Sequence, residues 1–161
     1  PAFLSGGKII ISTATKNLQD QLFTKDIPMI RDALNVPVTL AMLKGRSNYL
    51  CHLRLENAMI EGAFMTKEDV TYLHLVNQHA KHSMDGDRSE LDTIPESSSI
   101  WPQVTSTKEN CLGQDCSFYK ECFVMNARKK ALTADVTIVK HQPDQERQIQ
   151  RNPYGFPQRC Q

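Results

Sequence analysis

Four of the five cysteines are placed where they could do chemistry together: Cys111, Cys116 and Cys122 run as C-x4-C-x5-C, and Cys51 lies far upstream of them. An odd cysteine count fits a disulfide framework poorly, and a reducing compartment would not keep one. Ligation is therefore the leading chemistry. A cubane [4Fe-4S] cluster needs one thiolate on each iron beyond its bridging sulfides, so four cysteines converging from different directions would satisfy it. Zinc also accepts four thiolates, but its structural sites usually draw ligands from short knuckles that the longer gap here fits poorly. A third reading is four thiols with no metal, since cysteine is also an ordinary buried residue. Spacing alone leaves the three open. Cys160, in a polar stretch with no cysteine near it, reads as a free thiol.

Other residues with functional chemistry are fewer. His74, His79 and His82 form H-x4-H-x2-H on or just after one predicted helix. An exposed polar face explains them at least as well, because no carboxylate motif of the H-E-x-x-H type accompanies them. Nothing marks a nucleophile elbow. Lys44 and Arg46 precede Cys51, and Arg128, Lys129 and Lys130 form a second basic run. Such side chains attract phosphates without regard to sequence, and Tyr49 offers a ring on which a base could stack. For the later three, a solvated helix face is the competing reading.

These residues need a scaffold, and the 161-residue length allows one ordinary domain or a piece of a larger one carrying an insertion. With 40% hydrophobic and 23% charged residues, the composition is that of a globular protein rather than a disordered one. The net charge of +1 neither demands nor forbids a nucleic-acid partner. No uninterrupted apolar run is long enough to cross a membrane as a helix, and Pro1 opens no signal pattern, so no membrane partner is expected and the default address is the cytoplasm.

Lys8 to Thr13 reads as a buried strand after Gly6-Gly7. A helix capped by Thr13 or Thr15 should follow, with Leu18 and Leu22 inward, until Pro28 stops it and opens a second short helix ending near Asn35. Val38 to Leu43 returns as a strand. This is the βαβ grammar of a parallel α/β sheet. After Leu43 the grammar changes: a helix from Leu50 to Ile60 with Asn48 as its cap, and another from Lys67 to Ala80 opened by Thr66 and Asp69. A polar loop from His82 to Asn110 is pinned by Trp101, and a third helix spans Glu121 to Thr133. Asp135 to Val139 is a strand that could rejoin the opening sheet. From Gln142 to Gln161 there are six glutamines, three prolines and no apolar period, as in a poorly ordered tail.

Three stretches carry a resemblance: ISTATKNLQDQLFTKDIP from Ile11 to Pro28, LKGRSNYLCHLRLE from Leu43 to Glu56, and WPQVTSTKENCLGQDCSFYKECFVMNARKKALTADVTIV from Trp101 to Val139. Over about residues 1 to 141 the chain resembles the XPD/DinG group of iron-sulfur superfamily 2 DNA helicases. The resemblance implies an α/β fold, namely a partial parallel-sheet RecA-like motor domain with a mostly helical iron-sulfur cluster insertion. Residues 1–43 would belong to the motor and 44–134 to the insertion, with 135–141 the returning strand and 142–161 the tail. It favours a [4Fe-4S] cluster over zinc on Cys51, Cys111, Cys116 and Cys122. Thr13, Ala14, Thr15 and Lys16 fall on motif Ia, which touches the DNA backbone in such motors, although capping alone would also place Thr13 and Thr15 there. With Lys44, Arg46 and Tyr49 they make up the expected DNA contacts. The implied partners are single-stranded or forked DNA and proteins of DNA repair or replication.

The departures are equally specific. A phosphate loop needs GxxxxGK followed by Ser or Thr, yet around Gly7-Lys8 position 2 is Ala and position 9 is Ile, and no Asp-Glu pair occurs anywhere. ATP and magnesium are thus expected only in a complete parent protein, and no catalytic residue is assigned. The chain reads as cut from a longer one at both ends, or out of frame at its C-terminus. The alternative is a non-catalytic cysteine-rich module that holds a metal or cluster and binds single-stranded DNA or a protein.

Overall fold

A computed structural model describes residues 7–61 and 66–140, and they divide into two compact units. The first takes in the described residues up to Lys44 and those from Ala127 onward; the second is Gly45–Asn126. The expected tail and Cys160 lie outside the described residues.

The first unit is built on a parallel three-stranded sheet in the order β1 (Ile9–Thr13), β3 (Val136–Lys140), β2 (Leu40–Leu43). The last strand in sequence is the middle one in space, so β1 and β2 never pair. That position suits its composition. Val136, Thr137, Ile138 and Val139 are all buried, as a strand covered on both faces requires. The observed strands are one or two residues shorter at their N-terminal ends than their hydrophobic runs suggested.

Between β1 and β2 the chain is helical from Lys16 to Leu34. Helix α1 (Lys16–Gln21) passes into a π-turn at Leu22–Asp26 and then into α2 (Ile27–Leu34). Pro28 does not stop the first helix. It sits in the opening turn of α2, where its missing N–H costs nothing, and the wider π-turn precedes its ring. Asn35 closes α2 in the left-handed conformation at φ 51°. Buried Gln19 fastens this layer to the sheet, its Nε2 donating to the carbonyls of Leu43 at 3.1 Å and Ile138 at 3.2 Å. Ala41, Leu43, Ala131, Ala134 and Val139 form a small core. At the opposite end of the strands, Asp135 and Thr39 bond reciprocally: the Thr39 N–H and hydroxyl donate to the Asp135 carboxylate at 2.8 and 2.7 Å, and the Asp135 N–H donates back to Thr39 Oγ1 at 3.0 Å.

The second unit is helical: α3 (His52–Glu61), α4 (Lys67–His82), a short α5 (Trp101–Val104) and the start of α6 (Phe123–Thr133), which continues into the first unit. Thr66 caps α4 by accepting from the Asp69 N–H at 3.1 Å, as the sequence indicates. Asn48 does not cap α3; it ends a separate 3-10 turn at Arg46–Asn48. The stretch from 82 to 110 is more structured than its composition suggests, with a 3-10 turn at Arg88–Glu90 besides α5. Trp101 anchors it, buried, with Nε1 donating to the Pro95 carbonyl at 2.8 Å and the Arg88 guanidinium 5.2 Å above its ring.

Candidate metal centre

Cys51 is delivered by a short extended segment clamped on both sides. Tyr49 pairs with Asp87 and Leu50 with Thr105 as isolated antiparallel bridges. The Leu50 N–H donates to the Gly86 carbonyl and the Cys51 N–H to the Val104 carbonyl, each at 2.8 Å. Immediately after the clamp α3 begins, and the Cys51 carbonyl accepts the first helical bond from Leu55 at 2.9 Å. The Cys51 sulfur meanwhile takes the Arg54 N–H. Cys51 thus occupies a capping position, where unpaired backbone donors face the thiol. Cys122 stands in the same relation to α6, its carbonyl accepting from Asn126 at 2.9 Å.

Cys111 and Cys116 flank a 3-10 turn at Gly113–Asp115. Cys111 Sγ accepts from Arg46 Nη1 at 2.7 Å and from the Gly113 N–H at 3.4 Å. Gly113 adopts φ +60°, a left-handed conformation open to it because glycine has no Cβ. Beside the thiols, the His52 ring lies 4.5 Å from Phe123 and 5.7 Å from Phe118 between centroids.

All four thiols are half-buried and unpaired by disulfides. Burial pushes the Cys51 thiol up, the Arg54 N–H opposes that, and Cys122, Cys116 and Cys111 each push it further in the same direction. That influence puts the other three thiols within electrostatic reach of Cys51. Among the described residues, no three His, Cys, Asp or Glu side chains close on one point as ligands of a single ion would. His74, His79 and His82 do not converge either. Instead His79 Nε2 lies 3.2 Å from the Glu90 carboxylate, outside hydrogen-bonding geometry.

The residues expected to touch DNA are placed unevenly. Thr13 is buried, with its hydroxyl turned to the carbonyls of Thr15 at 3.3 Å and Val139 at 3.5 Å. Thr15 is exposed and caps α1, accepting from the Leu18 N–H at 3.3 Å. Lys16 is partly exposed at the same end of the sheet. Lys44 is only 6% exposed and pairs with Asp20 at 3.4 Å, and Tyr49 is only 3% exposed. The tyrosine ring meant to stack on a base is therefore packed away, and Arg46 is engaged with a thiol. Of the second basic run, Lys129 and Lys130 are exposed and Arg128 partly so.

No family model matches the chain. Individual proteins do. It is 46% identical over 141 residues to the ATP-dependent DNA helicase YoaA of Escherichia coli (strain K12), covering 88% of this chain and 22% of that protein. Haemophilus influenzae YoaA is 48% identical over the same length, with the same coverage. The ATP-dependent helicase DinG of Mycobacterium tuberculosis (strain ATCC 25177 / H37Ra) is 32% identical over 158 residues, covering 87% of this chain and 24% of the relative. The chain belongs to the DinG/XPD-type helicases. It spans about a fifth to a quarter of the length of these relatives.

In this DinG/XPD-type segment, two residues near the thiols have roles that their local sequence does not show. Arg46 has the chemistry of a phosphate contact, and its bond to Cys111 gives its place. Gly86, inside Asp85-Gly86-Asp87, lies in the stretch that reads as a polar loop. An Asp-Gly pair is a turn signal, but its carbonyl partner, Leu50, is not legible locally. None of the described helices is long and apolar enough to cross a membrane.

Proposed function

We propose that this chain is the part of an ATP-dependent DNA helicase in which a cysteine-bearing insertion, residues 44–134, interrupts a RecA-like motor domain and holds a [4Fe-4S] cluster. The carrying observation is that Cys111, Cys116 and Cys122 lie in the same compact unit as Cys51 and that each raises the Cys51 thiol electrostatically. The donor set fits the group. A cubane spreads its four thiolates over four separate irons, so its ligands stand farther apart than those of one zinc ion and need not close on a single point. Arg46 and the backbone donors at Cys51 and Cys111 supply the positive environment that an anionic, thiolate-bound centre needs. The bound cluster would brace the insertion, tying the clamped segment at Cys51 to the turns carrying the other three cysteines.

DNA contact in this reading falls to Thr15 and Lys16 of the first unit, since Thr13, Lys44 and Tyr49 are buried. The relatives' names supply the ATP-dependent activity, and this chain contributes neither phosphate loop nor Asp-Glu box.

The test is metal content of protein prepared without oxygen, followed through five single variants. Cys→Ser at Cys51, Cys111, Cys116 or Cys122 should each abolish iron binding and the brown colour, whereas Cys160→Ser should leave both intact. Iron undiminished in any one of the first four removes that residue from the centre.

A further inference from the structure

We infer that Gly86 is the positioning residue that sets Cys51 and Cys122 at their working separation; this rests on the cluster reading above. Gly86 touches the neighbours of both ligands. On one side its carbonyl accepts the Leu50 N–H at 2.8 Å, one residue before Cys51. On the other, a Cβ built on Gly86 would lie 2.3 Å from Phe123 Cγ and Cδ2 and 2.7 Å from Cδ1, one residue after Cys122. No side chain tolerates such distances. The atoms met belong to a rigid ring close to its own backbone, and Phe123 is buried against His52 with little room to retreat. Only a glycine backbone can lie flat on that ring while pairing with Leu50.

The glycine is itself held in place. Ser83, which follows α4, accepts the Gly86 N–H at 2.8 Å and the Asp85 N–H at 3.3 Å, and this turn delivers Gly86 at φ +60°. The chain from α4 is thus anchored before it reaches the clamp, and Asp87 then pairs with Tyr49. A side chain at position 86 has two ways to relieve the clash. It can push Phe123, and Cys122 with it, or it can lift the carbonyl off Leu50 and loosen Cys51. Either way the four thiols no longer meet one cluster.

The experiment is anaerobic reconstitution of the full chain with iron and sulfide. Iron per chain and the visible spectrum are read for wild type, Gly86→Ala, Gly86→Asn, Phe123→Ala and the Gly86→Ala/Phe123→Ala pair, with helix content by circular dichroism as the folding control. Gly86→Ala and Gly86→Asn should both weaken retention against a chelator by roughly tenfold or more, the scale on which supporting residues of metal sites act. Asparagine accepts the left-handed conformation readily, so a loss shared by both variants isolates the contact with the ring from backbone strain. In the Phe123→Ala background, adding Gly86→Ala should cost nothing further. Full retention in Gly86→Asn, or an undiminished additional loss in the pair, would overturn the role of Gly86. A loss of helix content in the single variants without the pair's rescue would also count against it. A wild-type chain that takes up no cluster would instead remove the cluster reading itself.

Discussion

Arg46 and Asp135 show how single side chains serve this chain in ways their types do not announce. An arginine five residues before a cysteine invites assignment to phosphate, yet its guanidinium donates to Cys111 Sγ at 2.7 Å. Arg46→Ala should leave the fold intact and make the centre roughly tenfold easier to strip, read as the rate of iron release to a chelator. Unchanged release would return Arg46 to the DNA-binding set. Asp135 belongs to the first unit. The Thr39 N–H and then its hydroxyl hold the carboxyl below the usual carboxylate range. A depressed folded-state pKa contributes stability that is full above the unfolded value and is lost as pH falls through the folded one. The thermal midpoint should therefore drop on acidification below about pH 4, the ordinary aspartate value. Asp135→Asn should lower it at neutral pH and flatten that acid limb. Parallel acid limbs in the two proteins would show that the Thr39 contact carries no pH-dependent stability.

Elements were legible where a local pattern sufficed. Asp135 to Val139 reads as a short strand, and Val136–Lys140 is one with its first four residues buried; Thr66 with Asp69 reads as a helix opening and is one. What failed was long-range. Nothing local in Val136–Lys140 says that it enters between β1 and β2. Tyr49 looks like an available ring until residues 86–87 and 104–105 are paired around it, and Lys44 looks like a free cation until Asp20 is brought to it. The four cysteines were legible by type, and the influence of the other three on Cys51 was not, because it depends on segments far apart in the chain. Gln19 is the clearest omission. It reads as one polar residue in a helix, yet it joins α1 to both β2 and β3 by donating to the Leu43 and Ile138 carbonyls. Gln19→Leu keeps the volume and deletes both donors, so it should destabilise the first unit by about 1–3 kcal/mol in denaturant titration. A change within error would mean that the carbonyls are satisfied without it.

At the scale of the whole molecule, the expected behaviour is binding without turnover. The chain has no lysine and hydroxyl on a phosphate loop and no Asp-Glu pair to hold magnesium, so purified protein should hydrolyse no ATP with or without DNA. Single-stranded DNA should bind weakly and less well as salt rises, because neutralised phosphates release counterions. Lys16→Ala should make the dependence of log K on log salt shallower by about 0.7, the loss of one phosphate contact on a single strand. An unaltered slope would exclude Lys16 from the interface. The central claim, that the four cysteines of the second unit hold a cubane cluster, is tested most directly by quantifying iron, acid-labile sulfide and zinc in the anaerobically purified chain. About four irons and four sulfides per chain, with zinc far below one, is the predicted result. Stoichiometric zinc, or no metal together with four freely titrating thiols, would contradict it.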